Sequence, residues 1–212
     1  MQHISLNNIN WTDLIQDSDQ FELMADQCYR QYVETHDLDY TYVKNITVDS
    51  EYFSNLTTWE KNPFPEYIGK FRRDYTKEFN DTYKDILIAS EPDYNSDVVK
   101  KLKFDLNLDE IYCLQQIQLP GALVAHHRDF NRGLSTKLLN QGIDHLVKVS
   151  NIRKYIVYLD DWALGQVFMC GRHAYTNWKK GDVMSFPWFM SHSTANTGVC
   201  PRPILFIAGV EF

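Results

Sequence analysis

The chain has 212 residues, of which 44% are hydrophobic and 23% charged, and its formal net charge is −7. That length fits one domain with a substantial core, while the acidic balance speaks against a nucleic-acid partner, which needs a basic surface. No run approaches the ~20 apolar residues of a membrane span, and Met1-Gln2-His3-Ile4-Ser5 lacks the basic and apolar stretches of a secretory signal.

Along the chain, Thr12 or Asp13 is placed to cap a first helix with Leu14, Phe21, Met24 and Cys28 on its apolar side. A second helix is expected from about residue 65 to 87, through Ile68, Phe71, Tyr75, Phe79 and Tyr83. Pro63-Phe64-Pro65 breaks any continuous helix before it. Both read as packing helices, so residues 1–109 are expected to form a mainly helical or irregular buttress.

The pattern changes at about residue 110. Short β-rich runs follow at 111–118, 123–127, 155–159, 166–170, 183–186, 192–195 and 204–210. Pro120-Gly121, Gly165, Gly171, Lys180-Gly181-Asp182 and Thr197-Gly198 punctuate them. Residues 134–147 interrupt the rhythm, with Leu138, Leu139, Ile143 and Leu146 at helical spacing, and read as a helical insertion. The expectation is a single α+β domain whose residues 110–212 form a sandwich, jelly roll or barrel. Cys28, Cys113, Cys170 and Cys200 are scattered, which suits reduced thiols in a cytoplasm.

The chemistry centres on His127-Arg128-Asp129. Residues two apart on a strand share a face, so the imidazole and the carboxylate converge while Arg128 points away. His192, 63 residues after Asp129, is the leading third ligand. Two histidines and one carboxylate on one face of an octahedron leave three positions open. Taken alone, a His-x-Asp pair is more often merely solvated. His126 would replace His127 only if the strand bulged, and His3, His36, His145 and His173 read as surface or structural residues. Arg202 follows His192 by ten residues at the entrance to the apolar run 204–208. On a strand neighbouring His192, its guanidinium could fork onto the far carboxylate of a bound diacid.

Together these residues resemble the 2-oxoglutarate/iron(II)-dependent dioxygenase superfamily over roughly residues 112–212. Pro120-Gly121 ahead of the His-x-Asp pair, Trp178-Lys179-Lys180-Gly181-Asp182 and Asn196-Thr197-Gly198 agree with that pattern. The block from Arg153 through Leu159-Asp160-Asp161-Trp162 to Gly165-Gln166 looks like that of small oxygenases common in viral genomes. The Trp-x-x-Gly and His-to-Arg spacings are similar to those of the aspartyl/asparaginyl β-hydroxylase branch.

The resemblance implies a double-stranded β-helix, a jelly-roll or cupin-like barrel buttressed by the N-terminal helices. It implies iron(II) held by His127, Asp129 and His192, with 2-oxoglutarate and O2 as co-substrates and succinate, CO2 and a hydroxylated product released. Asp129 favours hydroxylation, since halogenating members carry a small residue there. Arg202 would hold the distal carboxylate. Many members share that task with a serine two residues on, where this chain has Ile204, so Tyr155, Tyr158 or Tyr112 would supply the missing hydroxyl. Arg153 resembles an arginine that assists 2-oxoglutarate binding. A protein side chain, an amino acid or a small metabolite is the favoured substrate, in a cytoplasm, that of an infected host cell if the chain is viral. The rival readings are a non-catalytic cupin-like binding barrel and a zinc hydrolase using the same three ligands.

Overall fold

The computed structural model describes residues 6–48, 59–61, 86–89 and 93–212. Its frame is two antiparallel sheets. The larger has seven strands in the order β1 (Thr41–Asn45), β9 (Asp182–Phe186), β6 (Ile152–Tyr158), β11 (Arg202–Val210), β4 (Glu110–Gln118), β3 (Ile86–Ala89) and β2 (Trp59–Lys61). The smaller runs β5 (Leu123–His127), β10 (His192–Asn196), β7 (Gln166–Cys170) and β8 (His173–Tyr175). From β4 onward the chain crosses repeatedly between the sheets, which is the winding of a double-stranded β-helix, or jelly roll. The protein is thus α+β, a cupin-like barrel with helices at its N-terminal side.

Period-two alternation sorts side chains between two cores. On β6, Ile156 and Tyr158 enter the core between the sheets, where they join Phe168, Trp178, Phe186 and Ile204. Tyr155 and Val157 face the opposite way, into a second core with Leu205 and Ile207. α3 (Asp97–Leu106) covers that second core with Val99, Leu102 and Leu106. It begins at Ser96, whose hydroxyl accepts from the Val99 amide, and ends at Asn107 in the left-handed region at φ 53°.

α1 (Trp11–Leu14) and α2 (Ser18–Val33) close one flank of the barrel. Asn10 caps α1 and Asp17 caps α2, in place of the expected Thr12 or Asp13. The expected single helix is therefore two. Phe21 lies 4.3 Å from Phe130 and 5.5 Å from Trp188, so α2 packs against both loops that lead to the site. α4 (Arg132–Asn140) and a short 3-10 turn (Asp144–Leu146) form the insertion expected between strands.

Three further expectations are corrected. β1, β2 and β3 all precede residue 109 and extend both edges of the large sheet, where helix and irregular chain were expected. Nearly all of the expected helix at 65–87 lies outside the described residues, but its end falls in strand β3. β8 was also missed, because three residues straight after a glycine turn are too short to show alternation. The four cysteines are free thiols, and no described helix is long and apolar enough to cross a membrane.

Candidate metal centre

His127, Asp129 and His192 meet at one end of the small sheet. Each offers one donor atom, and the three atoms lie within 4.8 Å of one another; among the described residues they are the only such cluster of histidine, cysteine and carboxylate side chains. His127 Nε2 is 3.2 Å from Asp129 Oδ1, and His192 Nε2 is 3.2 Å from Oδ2. The imidazole centroids are 4.4 Å apart.

Backbone hydrogen bonds fix which nitrogen faces the centre. His127 Nδ1 lies 2.8 Å from the Ala125 carbonyl and His192 Nδ1 3.3 Å from the Met190 carbonyl. A carbonyl only accepts, so each Nδ1 carries a proton and each Nε2 faces the centre, where in the neutral ring it offers a lone pair. That is the orientation a metal-ligating histidine needs. Burial reinforces it, pushing His192 down to about 4, an effect only partly offset by Asp129. Burial alone would raise Asp129, yet His192, Lys154 and His127 outweigh it and hold the carboxyl well below its usual range. Two imidazole nitrogens and one carboxylate oxygen fit a hard or borderline divalent ion.

A bulge decides the choice between His126 and His127. His192 pairs with His127 and Thr194 with Val124, so three steps on β5 oppose two on β10. A bulge was expected to favour His126, but this one follows the inward-facing Val124 and so turns His127 inward and leaves His126 exposed, with Ser191 Oγ 3.5 Å from its Nδ1. Strand β5 ends at His127, so Asp129 reaches the site from the following loop rather than by strand alternation.

Two basic residues that the sequence reading did not use hold this arrangement. Arg128 turns away from the centre, donating to Glu22 at 2.6 Å, to Asp26 at 2.7 Å and to the Phe189 carbonyl at 2.8 Å. It ties α2 to both ligand-bearing segments. Lys154, fully buried on β6, donates to the Asp129 carbonyl at 3.0 Å and lies 3.7 Å from its Oδ2. The signal for Lys154 was a lysine inside an otherwise apolar strand, next to the more conspicuous Arg153.

Arg202 sits across the barrel from His192, on a strand of the other sheet, and not on a neighbouring strand. It is buried opposite Gln118, its guanidinium carbon is 5.8 Å from the Trp178 ring centroid, and its Nη1 makes a 3.4 Å bond to the Val167 carbonyl. Its Nε has no hydrogen-bond partner. Burial lowers the guanidinium to about 10. Tyr158 stacks on the same Trp178 at 4.1 Å, and its buried hydroxyl also lacks a partner. Gln118 is already engaged, accepting from Thr194 at 2.8 Å and donating to the Ala122 carbonyl at 3.0 Å.

The other expected co-substrate residues lie elsewhere. Tyr155 faces the second core. Arg153 donates to the Ser150 carbonyl at 2.6 Å and pairs with Glu211 at 3.4 Å. Tyr112 faces the inner core but packs against Gly133, six residues along β4 from Gln118, or roughly 20 Å at strand spacing. Of the three expected tyrosines, Tyr158 is the one that shares the Trp178 ring with Arg202. His36 stacks on Tyr32, His145 is exposed, His173 pairs with Asp39, and His3 lies outside the described residues. Phe168 and Trp178 are buried in the core, while Trp162 is half-buried.

No family model matches the sequence, and no curated protein matches it. Among solved structures, a sugar phosphate isomerase from the cupin superfamily of Silicibacter pomeroyi aligns with 12% identity and a TM-score of 0.38, covering 64% of this chain and 66% of that one. The cupin domain of an XRE-family transcriptional regulator from Enterobacter cloacae aligns with 10% identity and a TM-score of 0.37, covering 60% and 99%. A predicted oxalate decarboxylase from Thermotoga maritima aligns with 16% identity and a TM-score of 0.36, covering 59% and 80%.

Proposed function

We propose that this chain is an iron(II)- and 2-oxoglutarate-dependent oxygenase that hydroxylates a protein side chain, an amino acid or a small metabolite. The observation that carries the proposal is the second polar site in the same barrel. Arg202 Nε and the Tyr158 hydroxyl are both buried without a hydrogen-bond partner beside one indole. Buried donors left unpaired are costly, and a carboxylate within reach of both would satisfy them. A barrel that held only a metal, as a binding module or a zinc hydrolase, would have no use for that pair. In this reading Tyr158 supplies the hydroxyl that Ile204 lacks.

When bound, iron(II) with 2-oxoglutarate would supply the O2-activating chemistry, releasing succinate and CO2. The chain's own contribution is binding, orientation and exclusion of water. His127, Asp129 and His192 would hold the iron. Arg202 and Tyr158 would hold the distal carboxylate and so set the angle of the keto acid. Phe186 and Phe206, with ring centroids 5.0 and 6.5 Å from that of His192, wall the site with apolar surface.

The test is 2-oxoglutarate binding to the Mn2+-loaded protein. A charge-assisted contact contributes on the order of 1.5–3 kcal/mol, so Arg202→Ala should weaken binding roughly ten- to hundredfold with metal affinity unchanged. Arg202→Lys should recover only part, since it keeps the charge and loses the fork. Tyr158→Phe should cost about threefold to tenfold. Wild type that binds no 2-oxoglutarate, or Arg202→Ala that binds it equally well, would sink the co-substrate assignment.

A further inference from the structure

Lys154 is fully buried, lies beside a metal-ligand carboxylate, and has no part in the reading above beyond holding Asp129. Its position on β6 is set by alternation: Lys154, Ile156 and Tyr158 share the inner face, while Tyr155 and Val157 line the opposite core. An ammonium is among the side chains most costly to bury, and it is tolerated where it is paired. Here the pairing is with Asp129, through the carbonyl at 3.0 Å and Oδ2 at 3.7 Å.

That pairing changes the electrostatics of metal binding. Asp129 brings the ligand cluster one negative charge, and no other acid joins the cluster among the described residues. Lys154 already cancels that charge. A divalent cation entering between His127, Asp129 and His192 therefore adds two positive charges to a buried site beside a fixed ammonium. Like charges at such separations in a partly buried site repel appreciably. An anion arriving with the metal, or after it, offsets the repulsion and gains attraction from the ammonium.

We propose that Lys154 makes metal retention at this centre conditional on an anion. The bare ion is held weakly, and a carboxylate-bearing ligand converts it to tight binding. This is a coupling free energy between two ligands, reciprocal by thermodynamic necessity. The inference rests on the metal-centre part of the reading above and is independent of the identity of the co-substrate.

The test uses the full chain and two probes, Mn2+ and oxalate, the latter a metal-chelating dianion with no distal carboxylate for Arg202. Mn2+ affinity is read from loss of the free-ion paramagnetic resonance signal, with and without oxalate, for wild type, Lys154→Met and Lys154→Gln. Both variants lose the charge, and glutamine keeps a donor for the Asp129 carbonyl. Both should bind Mn2+ alone about tenfold more tightly than wild type, and oxalate should enhance their binding about tenfold less. Variants that bind bare Mn2+ no more tightly, or an oxalate enhancement that is unchanged, would overturn the proposal. So would glutamine behaving as wild type does, which would confine Lys154 to holding the aspartate. Failure of all three chains to bind Mn2+ would overturn the metal centre itself, a result distinct from unchanged coupling.

Discussion

Two aspartates in this barrel sit among histidines and basic side chains, yet they are built for different ends. Asp39 is fully buried and saturated by donors: the Arg172 amide at 2.6 Å, its guanidinium at 2.9 and 3.1 Å, and His173 Nδ1 at 3.3 Å. Gly171, at φ 55°, lets the chain pass so close that a Cβ there would meet the carboxylate. This cluster fastens residues 36–40 to the β7–β8 turn. Asp129 instead faces two imidazole nitrogens whose protons are engaged on the far side of each ring. One acid is saturated by hydrogen-bond donors, and the other meets two imidazole nitrogens at 3.2 Å with the Lys154 ammonium 3.7 Å from its Oδ2. Residue composition barely separates them. The partners do, and they suit Asp39 to fastening and Asp129 to a candidate cation site.

The largest expected effect lies at the second cluster. Asp129→Ala, or His192→Ala, should abolish iron binding in an anaerobic titration while circular dichroism stays that of the folded barrel. Asp39→Ala should do the reverse. Breaking a buried ion pair costs about 3–5 kcal/mol, and the partly exposed Arg172 puts the loss at about 3 kcal/mol. For a chain of this size that lowers the melting temperature by roughly 6–12 °C, with metal affinity little changed well below the transition.

Arg128 links the comparison, since it supports the ligand segments without touching the metal. Arg128→Met should lower Mn2+ affinity about tenfold, the smaller end of the effect expected for a residue that orients ligands. Wild-type affinity in that variant would show that α2 is not needed to set the ligand geometry.

The smallest effect is on acid stability. Arg172 and His173 hold the Asp39 carboxyl below its ordinary value, against the opposing push of burial. A group depressed in the folded state binds more protons when unfolded. Its stabilisation is therefore present above the unfolded value of about 3.9 and is lost as pH falls through the lower folded value. The stability gap between wild type and Asp39→Asn should hold steady from pH 7 to about 5 and close below about 4. A gap that widens on acidification would reverse the sign of this argument.

The core strands were legible because each combines alternation with a turn signal: 123–127 and 166–170 match β5 and β7. The triad was legible as a His-x-Asp pair followed by a histidine at the head of a later strand, although Asp129 reaches the site from the loop after β5. What sequence could not show was pairing across the fold. β1 is mostly exposed and alternates poorly, so only its register with β9 identifies it as a strand. Tyr155 and Tyr158 are both buried tyrosines on β6, and only the position of the sheet decides that Tyr158 faces Arg202 while Tyr155 does not. Lys154 was overlooked because a lysine in sequence reads as solvated, and its burial emerges only once both sheets close over it.

The central claim is that the Asp129 cluster, and not the Asp39 cluster, is a metal centre, and anaerobic equilibrium dialysis with iron(II) tests it most directly. Wild type, Asp129→Asn and Asp39→Asn are dialysed together in the presence of 2-oxoglutarate. The account predicts one equivalent of iron in wild type and in Asp39→Asn, and none in Asp129→Asn. Iron retained by Asp129→Asn, or absent from wild type, would contradict it.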